Sequence, residues 1–248
     1  CYYNGRNRGN RGNKDMYEYN TRVRLTEVDQ DRKMTLAGIL NAFQDCSTFH
    51  SEDLGVGMDY LEARERMWVL RSWKIQVFRY PCLGEHIRVG TWPYGFGKLT
   101  GERNFHLLGR DGKPAAWGDS TWVFMDTGRM RPALVDEEIR AAYETEPGLV
   151  MEGEDGPIRI PEALREGEPF AVHARQLDVN HHVNNGQYVQ MAEEYLPEGF
   201  HIRQMRAEYR KSAVQNDQIY PKIGRCGDGY TVLLADAAGK AYAAVEFK

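Results

Sequence analysis

Several features that mark other protein classes are missing from this sequence of 248 residues. No apolar run approaches the roughly 20 residues that a membrane-spanning helix needs, and no segment has the pattern of a secretory signal peptide. We therefore expect a cytoplasmic protein that does not insert into a membrane. The formal net charge is −4, so no overall basic field indicates a nucleic-acid partner.

Cysteine is also scarce, with four residues spread along the chain at Cys1, Cys46, Cys82 and Cys226. No two of them form the Cys-x-x-C pair that is typical of a zinc site, and the spacing does not suggest a disulfide framework. We expect buried or incidental thiols, no metal and no cofactor. The hydrophobic content of 42% and charged content of 27% are ordinary for a soluble globular protein.

The order of patterns along the chain predicts two similar units joined by a linker. Residues 1–15 are rich in Asn, Gly and Arg and are interpreted as a disordered arm or a cloning remnant. Residues 16–127 show a strand, a helix and then a run of antiparallel strands. Residues 128–169 contain five prolines and many acids and predict a linker. Residues 170–248 repeat the first order.

Period-two alternation and turn residues predict the strands of both units. In the first unit they cover 17–25, 68–79, 87–92, 100–108 and 116–125, and in the second unit 170–175, 202–212, 218–223, 230–235 and 241–247. A shift of 149 residues superposes matching positions of the two units. The matching pairs are Val23 and Val172, Asp29 and Asp178, and Thr35 and Asn184. This agreement in order and pattern indicates an internal duplication.

Each unit contains one long amphipathic helix. Thr35 is the expected N-cap of the first helix, and Asn184 or Asn185 caps the second, which is predicted over 184–196. Such a helix must bury its apolar face against the sheet that follows it. The predicted fold class is therefore α+β, with two sheets that each wrap around a helix and pair as a pseudo-dimer.

The segment before the second helix, DVNHHVNNGQY at 178–188, concentrates polar chemistry. An acid, an amide and an imidazole precede a helix N-terminus, where unpaired backbone N–H groups favour negative charge. A site that holds a developing oxyanion needs this arrangement. On its own, however, Asp-x-Asn-x-His is more typical of turns and caps than of catalysis.

The same segment resembles the D-x-N-x-H-V-N-N-x-x-Y signature of the acyl-[acyl-carrier-protein] thioesterases. Three other stretches, at 43–47, 89–92 and 208–210, are similar to that family as well, and the resemblance covers the chain from about residue 17. It implies a tandem double hotdog, with an N-terminal hotdog over 16–127 and a C-terminal hotdog over 170–248. It also implies hydrolysis of fatty acyl thioesters of acyl carrier protein, which releases fatty acid and ends chain elongation.

Carried over to this chain, the resemblance makes Asp178, Asn180 and His182 the catalytic residues. Asp178 would act either as the base for water or as a direct nucleophile. His182 would orient or share the proton, since its unperturbed pKa lies nearest neutrality, and Asn180 would position water or the carbonyl. The backbone N–H groups expected to hold the oxyanion are those of Asn184, Asn185 and Gly186.

One part of the family pattern is missing. Plant members carry a Glu-Cys pair at a position that corresponds here to Ser212 or Ala213, and neither residue is an acid or a thiol. A cysteine nucleophile is therefore not expected, and Glu208 is one candidate for a substitute acid.

The first unit is predicted to have lost this site. Asp31 and Lys33 take the places of Asn180 and His182, and lysine is no neutral base at pH 7 unless it is strongly desolvated. We expect the first unit to supply the acyl pocket instead. The residues predicted to line that pocket are Phe43, Cys46, Phe49, Trp68 and Trp73.

Acyl carrier protein is acidic, so docking on a chain of net negative charge needs a local basic patch. One candidate patch consists of Arg203, Arg206, Arg210 and Lys211, and a second consists of Arg64, Arg66 and Arg71. Two other functions stay open: an acyl-CoA thioesterase of the same fold, and a sensor that binds acyl thioesters without turnover. Whether the pseudo-dimer pairs again into a homodimer is also open.

Overall fold

The computed structural model describes residues 16–248, and the arm predicted over residues 1–15 lies outside the described residues. The helices are α1 (Leu36–Asp53), α2 (Met58–Glu62), α3 (Glu137–Ala142) and α4 (Asn185–Glu193). The strands are β1 (Tyr17–Arg22), β2 (Arg66–Val77), β3 (His86–Phe96), β4 (Thr100–Leu108), β5 (Pro114–Asp126), β6 (Arg131–Pro132), β7 (Arg165–Glu166), β8 (Phe170–Ala171), β9 (Gln204–Tyr209), β10 (Gln218–Cys226), β11 (Gly229–Ala235) and β12 (Ala241–Phe247). Short 3₁₀ turns cover Leu25–Glu27 and Ala174–Gln176.

The strands form one antiparallel sheet in which the two halves of the chain mirror one another. The order is β1-β3-β4-β5-β2 in the first half and β9-β12-β11-β10-β7 in the second, with β8 also paired to β10. The halves join where β2 pairs with β9, with Trp73 opposite Ala207. The predicted α+β class and the two sheet-and-helix units are confirmed by this arrangement.

The two main helices begin at the predicted caps. The Thr35 hydroxyl accepts a hydrogen bond from the Gly38 N–H at 3.0 Å, and the Asn184 side-chain oxygen accepts one from the Gly186 N–H at 2.8 Å. The apolar side of α1 is buried in the core, where the Phe43 ring packs against Trp73 and Phe105. None of the helices in residues 16–248 combines the length and apolar character that crossing a membrane requires.

Three elements of the second half are shorter than predicted, and one of them is the strand expected over 202–212, which covers only Gln204–Tyr209. The strand expected over 170–175 is limited to Phe170–Ala171, because a 3₁₀ turn follows, closed by a hydrogen bond from the His173 N–H to Gln176 Oε1 at 2.8 Å. Helix α4 ends at Glu193 rather than at 196. There the Tyr195 N–H bonds to the Ala192 carbonyl in a tighter turn.

Residues 153–158, which lie within the predicted linker, contact both halves on the outer face of the sheet. Trp73 faces the core, so its neighbour Lys74 points outward, where its ammonium contacts Asp155 at 3.0 Å. On the adjoining strand, Arg206 donates to the Gly156 carbonyl, and the Ile158 N–H donates to Glu208. The central strands of the two halves are therefore covered on one side by the two helices and on the other by residues 153–158.

Candidate active site

The segment that carries the signature forms a tight turn, here called the Asp178 turn (residues 178–182). Asp178 Oδ1 accepts hydrogen bonds from the backbone N–H groups of Asn180 at 2.8 Å and His182 at 3.2 Å. The Asp178 N–H donates to the His182 carbonyl at 2.7 Å. His181 occupies the position with φ of 60° and its side chain is exposed. One oxygen of Asp178 therefore shapes the turn, while Oδ2 has no hydrogen bond within residues 16–248.

The first half contains the same turn, here called the Asp29 turn (residues 29–33). Asp29 Oδ1 accepts from the N–H groups of Asp31 at 2.9 Å and Lys33 at 3.0 Å. Arg32 has a φ of 59° and corresponds to His181. The hydrogen bonds from backbone N–H groups to the aspartate carboxylate are thus common to both copies of the turn. They do not by themselves distinguish a catalytic aspartate from a structural one.

The other two signature residues leave their side chains available. The half-buried His182 imidazole makes no hydrogen bond within the described part of the chain. The Asn180 side chain is exposed and lines a cavity. Both groups can therefore meet a ligand without first breaking a contact within the protein.

At the N-terminus of α4, two of the three predicted oxyanion donors are already engaged. The Asn184 N–H donates to the Gln176 carbonyl at 2.9 Å, and the Gly186 N–H donates to the capping oxygen of Asn184 at 2.8 Å. Asn185 is the first residue of the helix, where a backbone N–H has no partner within the helix. Among the three, only the Asn185 N–H is left to receive an oxyanion.

The Asp178 turn closes one side of a cavity of about 580 Å³ in the first half. Val179 and Asn180 come from the turn, and all the other lining residues lie between positions 47 and 143. The wall includes Ser47, Thr48 and Ser51 of α1, Arg66 and Trp68 of β2, Arg103 of β4, and Tyr143. This space is called the first-half cavity below.

Of the five residues predicted to line an acyl pocket, Trp68 lines the first-half cavity. Phe43, Cys46 and Trp73 lie in the core instead, with at most 2% of each residue exposed. Phe49 is 45% exposed and packs edge-on against Tyr19. The physical reason is that the apolar face of α1 packs against the sheet, whereas the cavity opens along its small polar residues.

One wall of the cavity carries a polar cluster that the sequence did not reveal. Arg103 Nη1 lies 3.0 Å from His50 Nδ1 and 3.2 Å from Thr91 Oγ1. The Ser51 and Tyr143 hydroxyls are 2.7 Å apart. Burial, with a smaller contribution from the Arg103 charge, lowers the pKa of His50 to about 3, so its imidazole is neutral near pH 7. Burial also lowers the pKa of Arg103.

Comparison with known families assigns the chain. The model of the acyl-ACP thioesterase N-terminal domain matches residues 14–143, and that of the C-terminal domain matches residues 162–238. This chain belongs to the acyl-ACP thioesterase family.

Curated relatives are plant enzymes of the same family. The chain is 27% identical over 218 residues to dodecanoyl-[acyl-carrier-protein] hydrolase of Cinnamomum camphora, covering 79% of this chain and 56% of the relative. It is 24% identical over 219 residues to oleoyl-acyl carrier protein thioesterase 1 of Arabidopsis thaliana, covering 79% and 60%. The chain thus spans little more than half the length of these relatives.

Solved structures share the fold over nearly the whole chain. An acyl-ACP thioesterase from Bacteroides thetaiotaomicron has a TM-score of 0.81 at 21% identity, covering 94% of this chain and 96% of the other. A 12:0-ACP thioesterase from Umbellularia californica has a TM-score of 0.79 at 22% identity, with the same coverage. The predicted tandem double hotdog is confirmed.

The position of the Glu-Cys pair of plant members lies beside the Asp178 turn, where Ala213 offers only backbone groups and the Ser212 side chain is exposed. The Ala213 carbonyl accepts from the Val183 N–H at 2.9 Å, and the Ala213 N–H donates to the Tyr188 hydroxyl at 2.8 Å. Glu208 does not replace the acid, because its Oε1 accepts from the Ile158 N–H on the outer face at 2.6 Å. No cluster of His, Cys, Asp or Glu in residues 16–248 is suited to hold a metal ion.

The basic residues proposed for docking do not form one exposed patch. The ion pairs are Arg206–Glu246 at 3.4 Å, Arg210–Glu208 at 3.2 Å and Lys211–Asp236 at 2.9 Å. Arg206 is only 6% exposed, so it is not accessible to a partner. In the alternative patch, Arg66 pairs with Asp126 at 3.3 Å. Arg203 and Arg71 are exposed and have no acidic partner within the described residues.

Proposed function

We propose that this chain hydrolyses fatty acyl-[acyl-carrier-protein] thioesters, releases free fatty acid and so terminates fatty acid synthesis. The observation that carries the proposal is the meeting of the Asp178 turn with the first-half cavity through Val179 and Asn180. The thioester would lie at the turn, and the acyl chain would extend into the cavity. A binding protein without turnover would not need an acid, an amide and an imidazole at that point.

The reaction needs a proton acceptor, an oxyanion site and a proton for the leaving thiolate. Asp178 Oδ2 and the His182 imidazole are the groups free to take a proton from water. The water oxygen then bonds to the carbonyl carbon, the Asn185 N–H stabilises the oxyanion, and collapse breaks the carbon–sulfur bond. The abstracted proton returns to the thiolate. In the alternative route, Asp178 attacks directly, and water hydrolyses the resulting anhydride.

The partner under this proposal is acyl carrier protein loaded with a fatty acyl group. Arg203 is the exposed member of the first basic patch that is free to contact an acidic surface, with Arg210 and Lys211 beside it in ion pairs of their own. A cytoplasmic location and a homodimer of double hotdogs stay predictions.

The test compares one acyl group on three carriers, namely acyl carrier protein, CoA and a small thiol. We expect the highest kcat/KM on carrier protein, with a steep loss at high salt on that substrate alone, because exposed charges are screened. No hydrolysis of any of the three thioesters would refute the proposed reaction. A higher kcat/KM on CoA would retain the chemistry and refute the carrier-protein preference.

A further inference from the structure

Arg103 is a buried cation in the wall of the first-half cavity. It lies in the middle of β4, is 8% exposed and lines the cavity. Burying a guanidinium is costly unless hydrogen bonds and an opposite charge replace the lost water. Its Nη1 has two partners, His50 Nδ1 at 3.0 Å and Thr91 Oγ1 at 3.2 Å, and both are neutral groups.

Arg103 has no acidic partner, which distinguishes it from the other arginine of the same wall. Arg66 also lines the cavity, but its guanidinium lies 3.3 Å from the carboxylate of Asp126. No carboxylate within residues 16–248 forms an ion pair with Arg103. The guanidinium also lies over the Tyr143 ring, whose centroid is 5.2 Å from the guanidinium carbon.

The guanidinium also has hydrogen-bonding capacity to spare. Arginine has five N–H donors, and the two hydrogen bonds of Arg103 both come from Nη1. Its Nε and Nη2 groups have no acceptor in the described chain. An unsubstituted alkyl chain that filled the cavity would displace water from these donors and offer no acceptor in exchange.

We infer that the first-half cavity accepts acyl chains that carry an oxygen substituent, which Arg103 binds, in preference to unsubstituted chains. The substituent is a hydroxyl, oxo or carboxylate oxygen placed where the chain meets β4. This inference rests on the proposed thioesterase function and specifies its substrate class. The contribution of the cavity would then be selection by chemistry as well as by length.

The test uses the wild-type chain and a series of acyl carrier-protein thioesters of equal chain length. One member is unsubstituted, others carry a hydroxyl at successive carbons, and one ends in a carboxylate. We expect at least one oxygenated member to exceed the unsubstituted chain in kcat/KM by about tenfold or more, because hydrogen bonds to charged groups are among the stronger ones. The hydroxyl and carboxylate arms show whether a neutral or a charged oxygen is preferred.

A matched pair of variants assigns the preference to one side chain. Arg103→Met removes the charge at similar length and should bring the ratio of oxygenated to unsubstituted substrate close to one. Arg66→Met removes the paired arginine of the same wall and should leave that ratio as in the wild type. Arg103→Lys, which retains a cation, should restore part of the preference.

The outcomes separate this inference from the proposed function. If kcat/KM for the unsubstituted chain equals or exceeds that for every oxygenated chain, the inference is wrong and the thioesterase function stands. An undiminished preference in a folded Arg103→Met variant also overturns it. Should that variant fail to fold, the wild-type series alone decides. If no member is hydrolysed, both the inference and the proposed function fall.

Discussion

The Asp29 turn and the Asp178 turn have the same backbone but different side chains. In both, an aspartate accepts from the N–H groups two and four residues later. In both, the fourth residue of the turn has a φ near 60°, namely 59° at Arg32 and 60° at His181. The second turn then presents an amide and an imidazole where the first presents a carboxylate and an ammonium. The turn geometry alone therefore does not make a site.

The cavities of the two halves also differ, both in volume and in whether a turn of the other half lines them. The space of about 460 Å³ in the second half lies around Tyr195 and Tyr230, and no residue of the Asp29 turn lines it. Helix α4 has 9 residues, whereas α1 has 18 and runs along the larger cavity. The proposed site thus combines the turn of one copy with the cavity of the other, and the reverse combination is missing from the described residues.

The largest effect is expected when the His182 imidazole is removed, since this side chain distinguishes the Asp178 turn from the Asp29 turn. His182→Ala should lower kcat on acyl carrier-protein substrate by about 10²–10⁴-fold, the usual contribution of an acid–base group. Thermal stability should hardly change, because the imidazole makes no hydrogen bond within residues 16–248. The control is Lys33→Ala in the Asp29 turn, which should retain full activity. A His182→Ala variant as active as the wild type would contradict the assignment.

The next test asks whether Asp178 does more than shape its turn. Asp178→Asn keeps an oxygen that can accept from the Asn180 and His182 N–H groups but removes the charge. We expect kcat to fall by about 10²-fold with little change in the melting temperature. Asp29→Asn makes the same change in the other copy and should leave kcat unaltered. Equal activity of the two variants would reduce Asp178 to a structural role.

The third prediction concerns the cavity. A Cβ on Gly101 would lie 3.2 Å from the Trp68 ring and 3.3 Å from the Phe96 ring. Gly101→Val should therefore narrow the space and lower kcat/KM for the longest accepted chain by roughly tenfold, as the loss of about two buried methylenes predicts. Shorter chains should be affected less, so the profile of released fatty acids should shift toward them.

The corresponding change in the second half is Tyr230→Trp, at the wall of the smaller cavity. Because that cavity is not reached by the Asp178 turn, the product profile should stay as in the wild type. If Tyr230→Trp shifts the chain length of the released fatty acids and Gly101→Val does not, the acyl chain binds in the second half. That result would contradict its placement in the first-half cavity.

The last prediction concerns the dependence of stability on pH, which has opposite signs in the two halves. Burial lowers the pKa of His50 from its ordinary value of 6.5 to about 3 in the fold. The unfolded chain therefore binds a proton that the folded chain does not, and the free energy of unfolding falls as pH drops from 6.5 toward 3. Burial raises the pKa of Glu193 from 4.5 to about 7, so the free energy of unfolding falls as pH rises from 4.5 to 7.

Denaturant titrations at several pH values check this pair. His50→Gln should reduce the loss of unfolding free energy as pH drops from 6.5 toward 3. Glu193→Gln should reduce the loss of unfolding free energy as pH rises from 4.5 to 7. Each change is limited to about 1.4 kcal/mol per pH unit, the value for one proton. Parallel curves for His50→Gln and the wild type would contradict this prediction, because folding would then leave the pKa of His50 unchanged.

Several elements that depend on neighbours in sequence were predicted correctly, although the 3₁₀ turn at Ala174–Gln176 was missed. The caps at Thr35 and Asn184 are satisfied within the first turn of each helix, so spacing alone identifies them. Strand β4 agrees with its predicted bounds because its alternation ends at turn residues on both sides. The internal duplication was readable for the same reason, since the two turns use the same local hydrogen bonds.

Features formed by residues that are far apart in the sequence could not be predicted from it. An arginine such as Arg206 is usually exposed, but here it is buried with Glu246, a carboxylate partner that lies 40 residues further along the chain. The first-half cavity is lined by residues from position 47 to position 180, and no local pattern indicates that Arg103 belongs to its wall. Apolar spacing located the core face of α1, but it did not indicate that the neighbouring Ser47, Thr48 and Ser51 line the cavity.

The pairing of β2 with β9 has a consequence for how such a site can arise. In a symmetric dimer of identical subunits every substitution occurs twice, so a mutation that hollows out one subunit also hollows out the subunit that must remain compact. Fusion into a single chain removes that coupling. One repeat can then accumulate room for a substrate while its twin conserves reactive groups, and the covalent join keeps the two specialised repeats in fixed stoichiometry.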